Sequence, residues 1–303
     1  MAAVYCSAML QRYDERNADV RYWVNGVLRH RDEPGLSPFD SVVQGGDAVW
    51  EGLRLYQGKI FALDAHLARL RHSALALGFA AIPDPAEITD AVRETLRANG
   101  MTDGVHIRLT LTRGVKLTSG MDPRLNTAGC TLVVLAEFKP PVYDTAGLRL
   151  VTASVRRPGP DVLDPKIHHN NLLNSILAKI EANAAGADDA VLLDGRGFVA
   201  ETNATNLFAV VGGGLVTPTS AACPEGITRA TVLALRPATV VRDVSLAELY
   251  AADEVFCTGT MGEIAGVVEI DGRRIGTGAV GPVTLSVAAE FAGHVQAHGT
   301  PIA

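Results

Sequence analysis

The chain has 303 residues, of which 48% are hydrophobic and 20% charged, with a formal net charge of −6. That length buries either one large core or two smaller ones. An acidic balance without a basic stripe argues against a nucleic-acid binder, and no apolar run reaches the roughly 20 residues of a membrane span.

Residues 1 to 18 read as a loosely ordered lead-in. Met1 to Leu10 is mildly apolar, lacks a basic residue and runs into Gln11-Arg-Tyr-Asp-Glu-Arg16. That is a poor secretory signal, so a soluble, cytoplasmic protein is expected. Tyr22-Trp-Val, then Asn25-Gly26, then Val-Leu28 predicts a hairpin, followed by a loop over 31–41. A second hairpin is expected from Val49 to Phe61 about Gln57-Gly58. Asp64 is placed to cap a helix running to Leu77, and Pro85 opens another that ends near Gly100. Val105–Thr112 and Thr131–Ala136 read as strands, the second buried on both faces.

Lys139-Pro140-Pro141 marks a domain boundary, because successive prolines favour an extended connector. The expected division is 1–138, a linker over 139–147, and 148–303. The second part opens with a strand at Leu148–Ala153 and a helix over roughly 170–184. Short strands follow near Asp189–Leu193, Gly197–Glu201 and Asn206–Val211, then helices from Gly226 and Ser245. Strands at Glu254–Thr258 and Val267–Ile270 precede a last helix near Pro282–Ala297. Helices and strands mix without regular alternation, the mark of an α+β fold. Cys6, Cys130, Cys223 and Cys257 are far apart without a Cys-x-x-Cys spacing, so neither a zinc site nor a disulfide framework is indicated.

Lys166 is the residue with the most chemical interest. It follows the turn Asp164-Pro165 and precedes a helix in which Leu172, Leu173, Ile176, Leu177 and Ile180 recur at helical spacing. A lysine constrained near apolar surface can serve as a nucleophilic amine for Schiff-base chemistry, whereas one in water is only a loop lysine. Pro224-Glu-Gly-Ile-Thr-Arg229 either caps its helix or cradles a phosphate on exposed backbone N–H groups. Thr258-Gly-Thr-Met-Gly262 is a second turn able to donate several N–H groups. Glu201 stands at a strand end amid Thr-Asn-Ala-Thr-Asn206, where a carboxylate can pair with a protonated ring nitrogen or face solvent. His66 and Arg69 share one helix face, and Arg69 can reach a phosphate. A Schiff-base amine, a carboxylate for a heterocyclic nitrogen and several phosphate donors are the set that pyridoxal phosphate needs.

The chain resembles the class IV, fold type IV pyridoxal-phosphate aminotransferases, a group holding branched-chain and D-amino-acid aminotransferases and aminodeoxychorismate lyase. The resemblance runs from about Tyr22 to Pro282. It rests on six blocks in the family's order, among them Gly46-Asp-Ala-Val-Trp-Glu-Gly-Leu-Arg54, His66-x-x-Arg69-Leu, Glu201-Thr-Asn-Ala-Thr-Asn206-Leu-Phe and Gly259-Thr-Met-Gly-Glu263-Ile. It implies a small N-terminal α/β domain, a larger C-terminal pseudo-barrel and a homodimer. By that similarity Lys166 is the Schiff-base lysine and Glu201 the partner of the pyridine nitrogen. Arg69, Asn206, Ile227, Thr228 and Thr260 complete the cofactor site. Trp50, Arg108, Tyr143, Asn171, Met261 and Gly262 fall at substrate positions.

His106-Ile-Arg108 stands where branched-chain enzymes carry Tyr-x-Arg, and Gly45 and Asn171 replace two pocket aromatics. The Arg-x-His loop pair of D-amino-acid enzymes is not evident in Val115–Asp122 either. A more open, more polar pocket than a branched-chain one leans toward D-amino acids, with L-branched-chain acids next and a lyase of the same family as a further alternative.

Overall fold

The computed structural model describes residues 10–302; Cys6 and the first half of the expected lead-in lie outside them. The chain forms two units. In the first, β1 (Arg21–Val24) and β2 (Val27–His30) form the expected hairpin, with Asn25 at φ 43° and Gly26 at φ 88°. Those left-handed dihedrals match the strand twist, which is why Asn-Gly sits there. A short α1 (Ser41–Gly45) leads into β3 (Ala48–Tyr56) and β4 (Lys59–Phe61). Helices α2 (Leu63–Ala76) and α3 (Pro85–Ala98) follow, then β5 (Val105–Thr112) and β6 (Thr131–Phe138).

Two local expectations change. The N-cap of α2 is Ala62 in the left-handed region at φ 52°, and Asp64 lies inside the first turn, where it answers the helix dipole without capping. Burial along β6 alternates, with Val133 and Leu135 only half-buried, so one face of β6 meets the core rather than two. The core on that face joins Leu53 and Leu55 of β3 with Ile107 and Leu109 of β5, Leu67 and Leu70 of α2 and Val92 of α3.

The second unit begins with β7 (Leu148–Arg156), α4 (Leu173–Ala184), β8 (Asp189–Leu193) and β9 (Val199–Thr202). Next come β10 (Asn206–Val211), β11 (Gly214–Thr217), α5 (Ile227–Leu235), β12 (Val240–Val241) and α6 (Leu246–Tyr250). It closes with β13 (Glu254–Gly259), β14 (Glu263–Ile270), β15 (Arg273–Arg274) and α7 (Pro282–His298) up to Val295. Its mixed sheet runs β12-β11-β10-β13-β14-β7-β8-β9, with β15 on β14. β9 ends that order, yet only residues 203–205 separate it from β10 in the middle, so the sheet curls into a pseudo-barrel.

The first unit's sheet is antiparallel, ordered β4-β3-β5-β6-β1-β2, and β16 (Gly299–Pro301) adds to β4 at its edge. The units are therefore not consecutive stretches, as 1–138 and 148–303 would be. Residues 167–171 and 296–302 fold with the first.

Helix α4 corrects the expectation built on its periodicity. Ala178 and Ala182 face the sheet, while Leu173, Ile176, Leu177 and Ile180 are exposed. The 3.6-residue period identifies a helix but not which side of it is covered.

Candidate active site

Lys166 lies in the connector before α4, its backbone N–H donating to Asp164 Oδ1 at 2.9 Å. Its Nζ is held at 2.8 Å from Ser220 Oγ and at 2.8 Å from Glu225 Oε1. The ammonium beside it holds the Glu225 carboxyl below the ordinary range. The amine is thus oriented by two side chains rather than loose in solvent.

Glu201, the next-to-last residue of β9, is buried. Arg157 Nε lies 3.0 Å from its Oε1, and Asn206 Nδ2 donates to its Oε2 at 3.4 Å. Asn206 also spans to the Pro224 carbonyl at 3.4 Å. It crowds Gly226 closely enough that a Cβ there would lie 2.0 Å from Asn206 Oδ1. Only glycine fits that approach. Gly226 is the N-cap of α5 and no side chain caps the helix, so the N–H groups of its first turn, at Ile227 and Thr228, point out as anion donors.

The turn between β13 and β14 carries Thr260, Met261 and Gly262. Thr258, just before it, is buried and its Oγ1 has no hydrogen-bond partner. A buried hydroxyl without a partner costs about 1–3 kcal/mol, which a ligand oxygen can offset. An amine, an arginine-paired carboxylate, an uncapped helix start and an orphaned hydroxyl in one unit fit an aldehyde with a ring nitrogen and a phosphate. Tyr143 is set against Asp189 and Gly262 in the same unit.

The first unit holds the other candidates around Glu51, which is fully buried. Arg69 donates to it from Nε and Nη2, each at 2.7 Å, His66 Nδ1 lies at 2.7 Å and His168 Nδ1 at 3.2 Å. Burial works against the Glu51 charge, but Arg69, His168 and His66 overcome it and hold its pKa well below the ordinary range. Residues after Lys166 are laced to β3: Trp50 N–H donates to the His168 carbonyl at 2.9 Å and Asn170 N–H to the Ala48 carbonyl at 2.9 Å. The His168 ring stacks on Trp50 at 4.2 Å, and the Trp50 indole N–H donates to the His169 carbonyl at 3.1 Å.

Arg108 lies over the other candidate, Trp50, its guanidinium carbon 3.5 Å from the ring centroid. Among the described residues it has no carboxylate partner within ion-pair distance, and burial lowers its pKa to about 10. Asn171 packs beside Gly46, where a Cβ would lie 3.2 Å from its Oδ1. Sequence reasoning missed Glu51, Arg157, His168, Ser220 and Glu225. Glu51 and Glu225 stood inside quoted blocks, but a partner such as His168, 117 positions from Glu51, has no local signal.

A family model described as "Amino-transferase class IV" matches residues 48–270. "Branched-chain-amino-acid aminotransferase-like protein 2" of Arabidopsis thaliana is 54% identical over 94% of this chain and 52% of its own. The chain thus spans about half the length of that relative. The D-alanine aminotransferase of Bacillus licheniformis is 33% identical, over 87% of this chain and 93% of its own. Among solved structures, the branched-chain amino acid aminotransferase of Thermobaculum terrenum in its PLP form superposes with a TM-score of 0.83 at 27% identity, covering 95% of this chain and 99% of that one.

Proposed function

Since the chain belongs to the class IV aminotransferase family, we propose that it is a pyridoxal-phosphate-dependent transaminase, exchanging an amino group between an amino acid and a 2-keto acid. The carrying observation is the Lys166 amine, held at 2.8 Å between Ser220 and Glu225. When bound, pyridoxal phosphate supplies an electrophilic aldehyde carbon and a ring that draws electrons from the substrate's α-carbon. Lys166 Nζ is the attacking amine. When free, the same amine would act as the base and the acid that move the substrate's α-proton.

Glu201 would hold the proton on the ring nitrogen, and Arg157 fixes that carboxylate in place. Ile227, Thr228 and Thr260 would hold the phosphate, with Arg69 as a further candidate for it, and Asn206 braces Glu201 and the start of α5. Glu51 fixes the plane of the Arg69 guanidinium before it meets the anion. Arg108, stacked on Trp50, is suited to a substrate carboxylate because its charge is desolvated and has no carboxylate within ion-pair distance among the described residues. Tyr143, Asn171, Met261 and Gly262 are the remaining substrate positions. Two half-reactions, one per keto acid, give a ping-pong order.

The amino donor is read first as a D-amino acid, because Gly45 and Asn171 stand where aromatics would line an apolar pocket. L-branched-chain acids are the second reading, favoured by the branched-chain names of the 54%-identical relative and the superposed structure. A homodimer is supported by the exposed aliphatic stripe of α4, Leu173, Ile176, Leu177 and Ile180.

A panel of D- and L-amino acids, each mixed with the cofactor-loaded protein, tests this. A transaminase loses the visible cofactor absorbance without an acceptor and regains it with a 2-keto acid. Release of keto acid without loss of that absorbance marks the family's lyase alternative, and no response to any member overturns the proposal.

A further inference from the structure

Asp189, on β8, is almost fully buried and has no role in the reading above. Three side chains from three parts of the chain converge on its carboxylate. The Tyr143 hydroxyl, from the segment before β7, donates to Oδ2. Asn203 Nδ2, from the β9–β10 loop, donates to Oδ1 at 3.0 Å, and Lys179 Nζ, from α4, lies 3.2 Å from Oδ1.

Two of these three lead to the proposed site. The Tyr143 ring lies against Gly262 so closely that a Cβ there would be 2.2 Å from Tyr143 Cδ2. The preceding residue, Val142, donates its N–H to the Met261 carbonyl at 3.1 Å. Tyr143 therefore braces the Thr260–Gly262 turn from one side. Asn203 braces the other element. Its N–H donates to the Ala190 carbonyl at 3.0 Å and its Oδ1 accepts from Ala190 N–H at 2.7 Å, which clamps the 203–205 loop to β8. At the end of that loop, the Thr205 methyl lies 2.9 Å from where a Gly259 Cβ would be. The next residue is Asn206, which contacts Glu201. The loop after Glu201 and the turn after β13 thus share one buried anchor.

We propose that Asp189 is a positioning residue: through Tyr143 it sets the Thr260–Gly262 turn, and through Asn203 it sets the loop that carries Asn206 beside Glu201. The proposal rests on the transaminase reading and deepens it. It recasts Tyr143 as a strut for the turn instead of an aromatic that grips substrate. Burial, then the adjacent Asp189 charge, pushes the Tyr143 phenol well above its ordinary range, so its hydroxyl remains the donor. Lys179 neutralises the anchor but braces neither element of the site.

Three full-length variants test this: Asp189→Asn, Tyr143→Phe and Lys179→Ala. Each is stripped of cofactor and titrated with pyridoxal phosphate by absorbance, then assayed for KM and kcat at saturating cofactor. Asp189→Asn should raise both the cofactor Kd and the substrate KM about tenfold, the loss of one hydrogen bond to a charged group at each element, with kcat within about threefold. Tyr143→Phe keeps the ring on Gly262 and should shift both in the same direction by less. Lys179→Ala should leave both within about twofold, since an ion pair that braces no site element is lost.

A folded Asp189→Asn protein with wild-type Kd and KM overturns the proposal, as does a Lys179→Ala protein that matches Asp189→Asn. If Asp189→Asn does not fold, Tyr143→Phe decides, and its unchanged Kd and KM overturn it equally. If the wild type transaminates nothing, the transaminase reading falls, yet the cofactor Kd still tests the anchor.

Discussion

Glu51 and Glu225 each hold a cation, in opposite surroundings. Glu51 is fully buried among Arg69, His66 and His168, whereas the Glu225 side chain is 67% exposed and that of its partner Lys166 43%. A buried carboxylate survives only when every nearby donor is committed to it, so its neighbours are fixed. An exposed pair is worth little in stability and is easily exchanged, and the Lys166 amine must leave Glu225 to react. Rigidity around Glu51 and exchangeability around Glu225 are separate requirements, and they can be measured separately.

The largest expected effect is Lys166→Ala. Activity should fall to the uncatalysed background and the visible band of bound cofactor should vanish, since Lys166 is the amine assigned to hold it. Urea unfolding should show less than about 1 kcal/mol of lost stability, because the broken pair is exposed. A variant with near-normal turnover would remove Lys166 from the chemistry.

Glu51→Ala should show the reverse. It leaves Arg69 and two histidines without their shared anion in a buried site, a loss of about 3–5 kcal/mol in unfolding free energy. If instead the variant were as stable as wild type while losing cofactor, Glu51 would be a binding group and the contrast with Glu225 would fail.

Glu201→Gln falls between the two, being buried like Glu51 yet assigned to the chemistry like Lys166. It should retain the cofactor band and slow the single-turnover half-reaction by about ten- to a hundredfold, because an amide cannot hold the proton on the ring nitrogen. Wild-type half-reaction rates would make Glu201 structural.

Much of this was legible from particular residues. Asn25-Gly26 and Gln57-Gly58 fixed two hairpins because their left-handed dihedrals suit few other residues. Lys166 and the start of α5 could be singled out as candidates because their signals are local: a constrained amine after Asp-Pro and a glycine before a helix. Three things were not. The exposed stripe of α4 could not be assigned a side, since Leu173 and Ile176 satisfy the same period whether covered or bare. Ala62 took the α2 cap through a left-handed backbone that no sequence rule favours for alanine. The anchors Glu51, Arg157 and Asp189 depend on partners brought in from far along the chain, and only the fold supplies those.

The last expected effect concerns a buried histidine with cations around it. His106 stands on β5 opposite Arg54 of β3, with Nε2 over Gly52, where a Cβ would lie 3.1 Å away. Burial first, then Lys139, Arg108 and Arg54, lowers its pKa to about 3. In the unfolded chain an ordinary histidine titrates near 6.5. Between those values the unfolded state binds a proton that the folded state refuses, so stability falls as pH drops from about 6.5 toward 3. Above that window His106 is neutral in both states and adds nothing. Glutamine at this position cannot titrate. The stability of His106→Gln relative to wild type should therefore improve by up to about 3 kcal/mol between pH 7 and pH 4. Urea unfolding at four pH values measures the difference directly, and curves that stay parallel would mean that His106 is protonated in the folded protein, with an anion beside it. That result would place His106 with the matched charges around Glu51.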